Sequence, residues 1–581
     1  MSIASSASAM TSAAGRPRPA EEVLKPVDLG GARSTRHSFA RSLIRRAAAH
    51  GWRVTRERFQ IDENGCGTAV YRVDAEGNVW TFVAFSQNVG EAKRTDRVIA
   101  ESWDVTAALV EGEVHPDRMR RLREQVPLQE AGRADGGTVI WTRANRSERF
   151  FDYAIDRLAS GQQPEAEVFG CSPYLMRSTA FYSNGKFGLA DFERFRDGHP
   201  FAVPYRAHML TAWLLRELSY DVVEHCALAR STSAVAFDGA WRRYLGLGNA
   251  TGLGMVPYVI NHPRILDAWI RMREIPLASV LARDVSPTEP DVGRVQALLA
   301  RAIGYFEEQR DLSPTPYLPG PVLAHQLSPV LTALNEFASG EQVHATGQRV
   351  WQTLHDAAHE TGPECRGVVA SILTELTGDL DALVESGLRC DERRRLDPRA
   401  RCGDLLTEVA EHYGWVDAYD FAERTQVEHF WFSSANSEEP RRARLGIDPG
   451  EDVQHGVDIA RSVAALRTDL QAADPNSSIA LFLLEHPWHR SAVSRAQTVV
   501  DLEYAEVRDN LLAAEFLPLH LQRLQLAAYG MENFNPQSTD WLRVTLFSGA
   551  PRVAELPQGT ADDDWMFTPR PSERLIHARL A

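Results

Sequence analysis

The chain contains no run of about 18 consecutive apolar residues, so the sequence predicts no membrane-spanning helix. Basic residues are in deficit, with 63 Lys and Arg against 78 Asp and Glu and a formal net charge of −15. Nucleic-acid binding draws most of its affinity from basic side chains set against phosphates, so a broad nucleic-acid surface is excluded. A local basic pocket for a small anion is not. Only six cysteines occur (Cys66, Cys171, Cys226, Cys365, Cys390 and Cys402), with no CxxC pair. That spacing excludes a disulfide framework and a cysteine-based zinc site, and it fits a reduced cytoplasmic protein.

Catalytic signatures are missing as well. The chain has no HExxH and no GxSxG elbow. Its glycine-rich run, GLGNATGLGM, lacks the Gly-Lys-Ser/Thr ending of a P-loop. The same run follows the helical FDGAWRRYL and not a strand, which removes a Rossmann fingerprint. No cofactor is expected from sequence. Residues 1–35, rich in Ala, Ser, Arg and Pro, lack the apolar stretch of a secretory signal and read as a disordered N-terminal tail. Residues 556–581 read as a C-terminal tail.

What is present is an ordinary globular balance, 44% hydrophobic and 24% charged, in 581 residues, too many for one small core. The expected class is α+β and predominantly helical, with two degenerate α+β repeats around a helical middle. SFARSLIRRAAAHGW ends a helix at Gly51-Trp52, and VYRVDAEGNVWTFVAFSQN follows as strands turning at Glu76-Gly77. CGDLLTEVAEHYGW ends similarly at Gly414-Trp415, and VEHFWFSSANSEEPRR follows. One offset aligns Ser86, Asn88, Glu91 and Arg94 with Ser434, Asn436, Glu439 and Arg442. Weaker landmarks pair Tyr153 with Tyr504 and Arg177 with Arg523. The repeats are expected over 36–205 and 402–555, with helices over 206–400. The period is far longer than that of solenoid repeats. Two such units pack as a homodimer does, and a homo-oligomer is compatible with the same self-complementarity.

Four segments carry enough polar chemistry to be candidates. The matched Ser-x-Asn-x-x-Glu-x-x-Arg stretches follow apolar runs, so Ser86, Asn88, Glu91, Arg94, Glu439 and Arg442 should emerge at strand ends. There an arginine fork can take a carboxylate or phosphate, or Glu and Arg can simply pair with each other. RSTAFYSNGKFG gathers Arg177, Ser178, Tyr182, Asn184 and Lys186. Tyr182 or Lys186 could transfer a proton if desolvated, and the bland alternative is a polar Asn-Gly turn. GLGNATGLGM offers backbone N–H groups to an anion, with Asn249 and Thr251 as side chains to watch, or else close helix packing. His355 and His359, at i and i+4, share a helix face that can hold a metal. No third ligand can be assigned, and packing histidines are the plainer reading.

The sequence therefore points to cofactor-free acid–base chemistry on a small anionic metabolite: elimination, isomerisation or hydrolysis. Arg177 and Arg442 would anchor the anion, and Tyr182 or Lys186 would move the proton. The alternatives are a non-enzymatic, pseudo-symmetric binding or assembly protein, and a metal-dependent hydrolase built on His355 and His359.

Overall fold

The computed structural model describes residues 15–89, 103–126, 137–170, 173–182, 199–203, 205–252, 263–309, 318–340, 349–378, 396–418, 456–506, 517–536, 541–558 and 565–571. The expected turn opens the sheet. Glu76 and Gly77 both take positive φ, 50° and 81°, and Ala75 pairs with Asn78. This is the two-residue geometry whose twist matches that of flanking strands. It joins β2 (Gly67–Ala75) to β3 (Asn78–Ser86), flanked by β1 (Arg53–Ile61) and β4 (Val105–Glu111). Then come β5 (Thr138–Arg146), β6 (Tyr174–Tyr182), β7 (Gly246–Gly252), β8 (Met531–Pro536) and β9 (Trp541–Leu546).

All nine form one mixed sheet in the order β1-β2-β3-β4-β5-β6-β7-β9-β8, in which only β6 and β7 run parallel. Parallel neighbours need a crossover. The buried Arg206–Arg230 helix supplies it, lying on β4 to β7 and against the helices Phe39–Ala49 and Phe151–Ala159. Strand alternation divides the sheet's apolar residues by face. Tyr71, Val73, Trp80 and Phe82 join that helical layer, whereas Val70, Val83, Phe85 and Ala108 pack on Met119 and Leu122 of the Pro116–Gln125 helix.

With 18 helices and a 55% helical share beside this sheet, the α+β, mostly helical class holds for the described residues. Two repeats flanking a middle are not confirmed. β7, from the middle region, sits inside the sheet, and β9 and β8, from the second unit, extend it. At landmarks described in both units the local structures also diverge. Tyr153 lies in a helix and Tyr504 in a turn, while Arg177 is in β6 and Arg523 in the Leu517–Tyr529 helix. The shared apolar spacing is common to α+β segments and does not fix one tertiary unit here.

The tail expectations are corrected only where residues are described. Val23, Leu24 and Leu29 are buried, and the Pro26–Gly30 helix packs on Pro363–Thr374 and Leu517–Tyr529. Near the other end Trp565, Met566 and Phe567 are buried. In both places a few large apolar groups outweigh a polar, Pro-rich composition.

GLGNATGLGM resolves as strand over Gly246–Gly252 and not as an anion-cradling loop; residues 253–262 lie outside the described set. Its main chain is paired on both sides, to β6 and to β9. The glycines serve close approach: a Cβ on Gly248 would lie 2.4 Å from the buried Tyr174 ring, and one on Gly246 would lie 2.7 Å from the Leu546 carbonyl. Gly248→Ala is accordingly expected to cost about 1–3 kcal/mol, read from the urea midpoint. Gly239→Ala, where no described residue lies within 4 Å of the added Cβ, is the control that should change little.

Candidate functional site

A cavity of about 360 Å³ lies away from the sheet. That is the size of a small-metabolite pocket. Four stretches of chain build it. The Pro263–Leu281 helix lays down an apolar floor of Leu277, Ala278 and Leu281. The segment from Gly15 to Glu22 crosses it so closely that a Cβ on Gly15 would lie 2.4 Å from the Ala278 carbonyl. The Val350–Thr361 helix contributes His355, Asp356 and His359, with Arg349 at its N-cap, and Pro363–Thr374 adds Arg366.

Two of the arginines are anchored. Arg18 grips Glu274 through Nε and Nη2, at 2.8 and 2.7 Å, while Arg366 reaches Glu22 at 2.7 Å and Asp28 at 2.7 Å. Burial pushes the Glu274 carboxyl up, but Arg18 and Arg273 outweigh it and hold it below the ordinary carboxylate range. Arg16 and Arg349 are exposed and have no carboxylate partner among the described residues. Four arginines thus face three carboxylates (Glu22, Glu274 and Asp356), with the free guanidinium groups on the rim.

His355 is the unusual group. It is 3% exposed, and neither ring nitrogen has a hydrogen-bond partner among the described residues. Burial, then the charges of Arg18 and Arg366, press its pKa down to about 3, so the imidazole is neutral at physiological pH. A neutral imidazole carries one donor and one acceptor, and here neither is paired among the described residues. The nearest carboxylate, Asp356, lies 3.8 Å from Nδ1 and points mainly to solvent.

Of the residues singled out in the sequence, His355 and His359 reach this cavity. No third His, Cys or carboxylate completes a metal set with them among the described residues. Arg177 and Ser178 do meet the glycine-rich run, since Arg177 pairs with Gly248 and Ser178 with Asn249 across β6 and β7. They meet inside the sheet: Arg177 and Ser178 are buried, and Ser178 Oγ lies 3.3 Å from Thr142 Oγ1. Asn249 is half-buried, and its Oδ1 has no partner among the described residues. Tyr182 and Thr251 occupy strand positions in β6 and β7.

Ser86, at the end of β3, is spoken for: it donates to the Gly65 carbonyl at 2.6 Å beneath the Arg146 guanidinium. Asn88 is exposed just beyond it. Glu91, Arg94, Asn184, Lys186, Glu439 and Arg442 lie outside the described residues.

The sequence reading missed Arg16, Arg18, Glu274, Arg349 and Arg366. One signal was available, the Arg273-Glu274 pair embedded in the otherwise apolar ILDAWIRMREIPLASV. A second cavity, of about 20 Å³, has room for little more than one water. Its walls include Glu532, Tyr305, Asn533 and Arg523. The buried thiols of Cys226, Cys365 and Cys402 are pushed up by desolvation, which makes them poor nucleophiles. Comparison with family models, with curated proteins and with solved structures finds no match to this chain.

Proposed function

We propose that the protein binds a small anionic metabolite in the arginine-bordered cavity and that His355 exchanges a proton with it. The observation that carries this reading is the combination of two unpaired arginines at the rim with a buried, unpartnered imidazole beneath them. A phosphate or carboxylate seated between Arg16 and Arg349 finds guanidinium forks suited to its oxygens. Its charge also offsets those of Arg18 and Arg366, which add to burial in holding the imidazole neutral. Binding then raises the affinity of His355 for a proton, and the apolar floor limits competition from water. Elimination, isomerisation and hydrolysis all suit one proton-handling group beside a fixed anion.

The test is titration calorimetry with inorganic phosphate and with succinate. Arg349→Ala should weaken binding at least tenfold, about 1.4 kcal/mol, without moving the unfolding midpoint. Repeating the titration in buffers of different ionisation enthalpy should show proton uptake, and His355→Gln should abolish it. Equal affinity in Arg349→Ala, or the same proton uptake in His355→Gln, removes the corresponding half of the proposal.

The ion pairs support a second, non-enzymatic reading, in which Arg18 and Arg366 only fasten the N-terminal segment to the helices beneath it. On that reading Arg349→Ala changes nothing, while Arg18→Ala exposes residues near Gly15 to proteolysis.

A further inference from the structure

We propose that Asp469, His486 and His489 form a binding site for a divalent transition-metal ion of the zinc class, with one coordination position left open to solvent. Their donor atoms, one from each side chain, all lie within 4.8 Å of one another, and they are the single group of this kind among the described residues. None of the three lines the arginine-bordered cavity.

The three donors arrive from separate, fixed pieces of chain. Asp469 sits in the last turn of the Gly456–Ala472 helix. His486 caps the Ile479–Glu485 helix, and Pro487-Trp488 carries the chain through one tight turn to His489. Phe482, 3% exposed, holds both imidazoles: its ring stacks on His486 at 4.7 Å and 27° and on His489 at 5.9 Å and 11°. The rings are therefore oriented by packing before any ion arrives, which lowers the ordering cost of binding.

The distances suit the chemistry. Zinc bonds to nitrogen and oxygen of about 2.1 Å in a tetrahedron place neighbouring ligand atoms roughly 3.4 Å apart. His486 Nδ1 lies 3.4 Å from the Asp469 carboxylate oxygen, and that nitrogen is shielded from solvent without a hydrogen bond among the described residues. His489 Nε2 lies 2.7 Å from the same oxygen, a hydrogen-bond separation that opens modestly when an ion replaces the shared proton.

Nε2 of His489 also faces the Trp488 indole N–H at 3.1 Å. A single ring nitrogen cannot donate to the carboxylate and accept from the indole at once. An ion accepting the Nε2 lone pair settles that conflict, because Trp488, 66% exposed, can give its N–H to water. Two imidazoles and one carboxylate select zinc, nickel or copper over magnesium or calcium, which prefer all-oxygen shells. Side-chain exposures of 33% for Asp469 and 27% for His486 leave the fourth position facing water.

Calorimetric titration of zinc into the full chain, stripped with chelator beforehand, tests the site. The chain carries 18 histidines, so stoichiometry alone does not locate an ion. The comparison is with His486→Ala and Asp469→Asn, whose side chains are partly exposed and should leave the unfolding midpoint intact. One equivalent of zinc is expected per chain, weakened at least tenfold by either substitution and not displaced by excess magnesium. A perturbed indole fluorescence signal should accompany it and vanish in Trp488→Phe. The proposal is overturned if zinc fails to bind, or if it binds equally well to both ligand variants.

Discussion

Arg41→Ala is expected to destabilise the protein by about 3–5 kcal/mol, the usual result of removing one partner from a fully buried ion pair. Arg41 lies on the Phe39–Ala49 helix, and its guanidinium meets Glu375 through both nitrogens, at 2.9 and 2.7 Å. Both side chains are 0% exposed. With the guanidinium gone, the Glu375 carboxylate keeps a hydrogen bond from the Arg36 backbone N–H, at 2.9 Å. That single neutral donor cannot stand in for a bidentate charge. The indole of Trp565, 5.7 Å from the guanidinium carbon, loses its cation as well. Urea denaturation measures the loss. The double variant Arg41→Met with Glu375→Leu should recover most of it, because it strands no charge in the interior. If the single variant is as stable as the parent, the pair is not the clamp its geometry implies.

That pair also marks what the sequence could and could not disclose. The hairpin at Glu76-Gly77 and the helix Arg206–Arg230 were legible because their signals are local: a two-residue turn between alternating strands, and apolar residues at helical spacing. Gly246–Gly252 was misread because its strand identity comes from elsewhere. Its antiparallel partner, Trp541–Leu546, is far along the chain, and its glycines answer to the Tyr174 ring and the Leu546 carbonyl. Nothing in GLGNATG itself encodes those neighbours.

The cavity was hidden for a related reason. Arg18, Glu274, Arg349 and Arg366 come from four separated stretches, and all but Glu274, set in an apolar run, resemble ordinary surface charges. Only His355 and His359 carried a local pattern, the i, i+4 spacing, and they are the two that the sequence reached. The tails failed on composition: Leu24, Leu29 and Trp565 are single apolar anchors in segments whose average looks disordered.

The last large effect concerns pH and Glu532, which lines the small cavity and feels the charges of this same pair. Glu532, on β8, has an Oε1 closed off from solvent and without a hydrogen bond among the described residues. Burial raises its carboxyl to about 8, against the opposing charge of Arg41 and with a small contribution in the same direction from Glu375. In the unfolded chain the group titrates near its ordinary value of 4.5. Below that value both states hold the proton and stability is unaffected. Between it and about 8 the unfolded chain gives the proton up while the folded protein keeps it, so stability falls as pH rises and then levels off.

The full loss is on the order of a few kcal/mol. Glu532→Gln keeps the shape and removes the titration. Its stability relative to the parent should be near zero at the acid end and grow steadily towards the alkaline end in urea denaturation series. A pH-independent difference would show that the carboxyl is not held protonated. The two predictions are also linked through Arg41. Deleting that guanidinium removes the charge opposing the burial of Glu532, so above neutral pH Glu532→Gln should relieve more destabilisation in the Arg41→Ala background than in the parent. A strictly additive double variant would instead mean that the two carboxyls do not share Arg41.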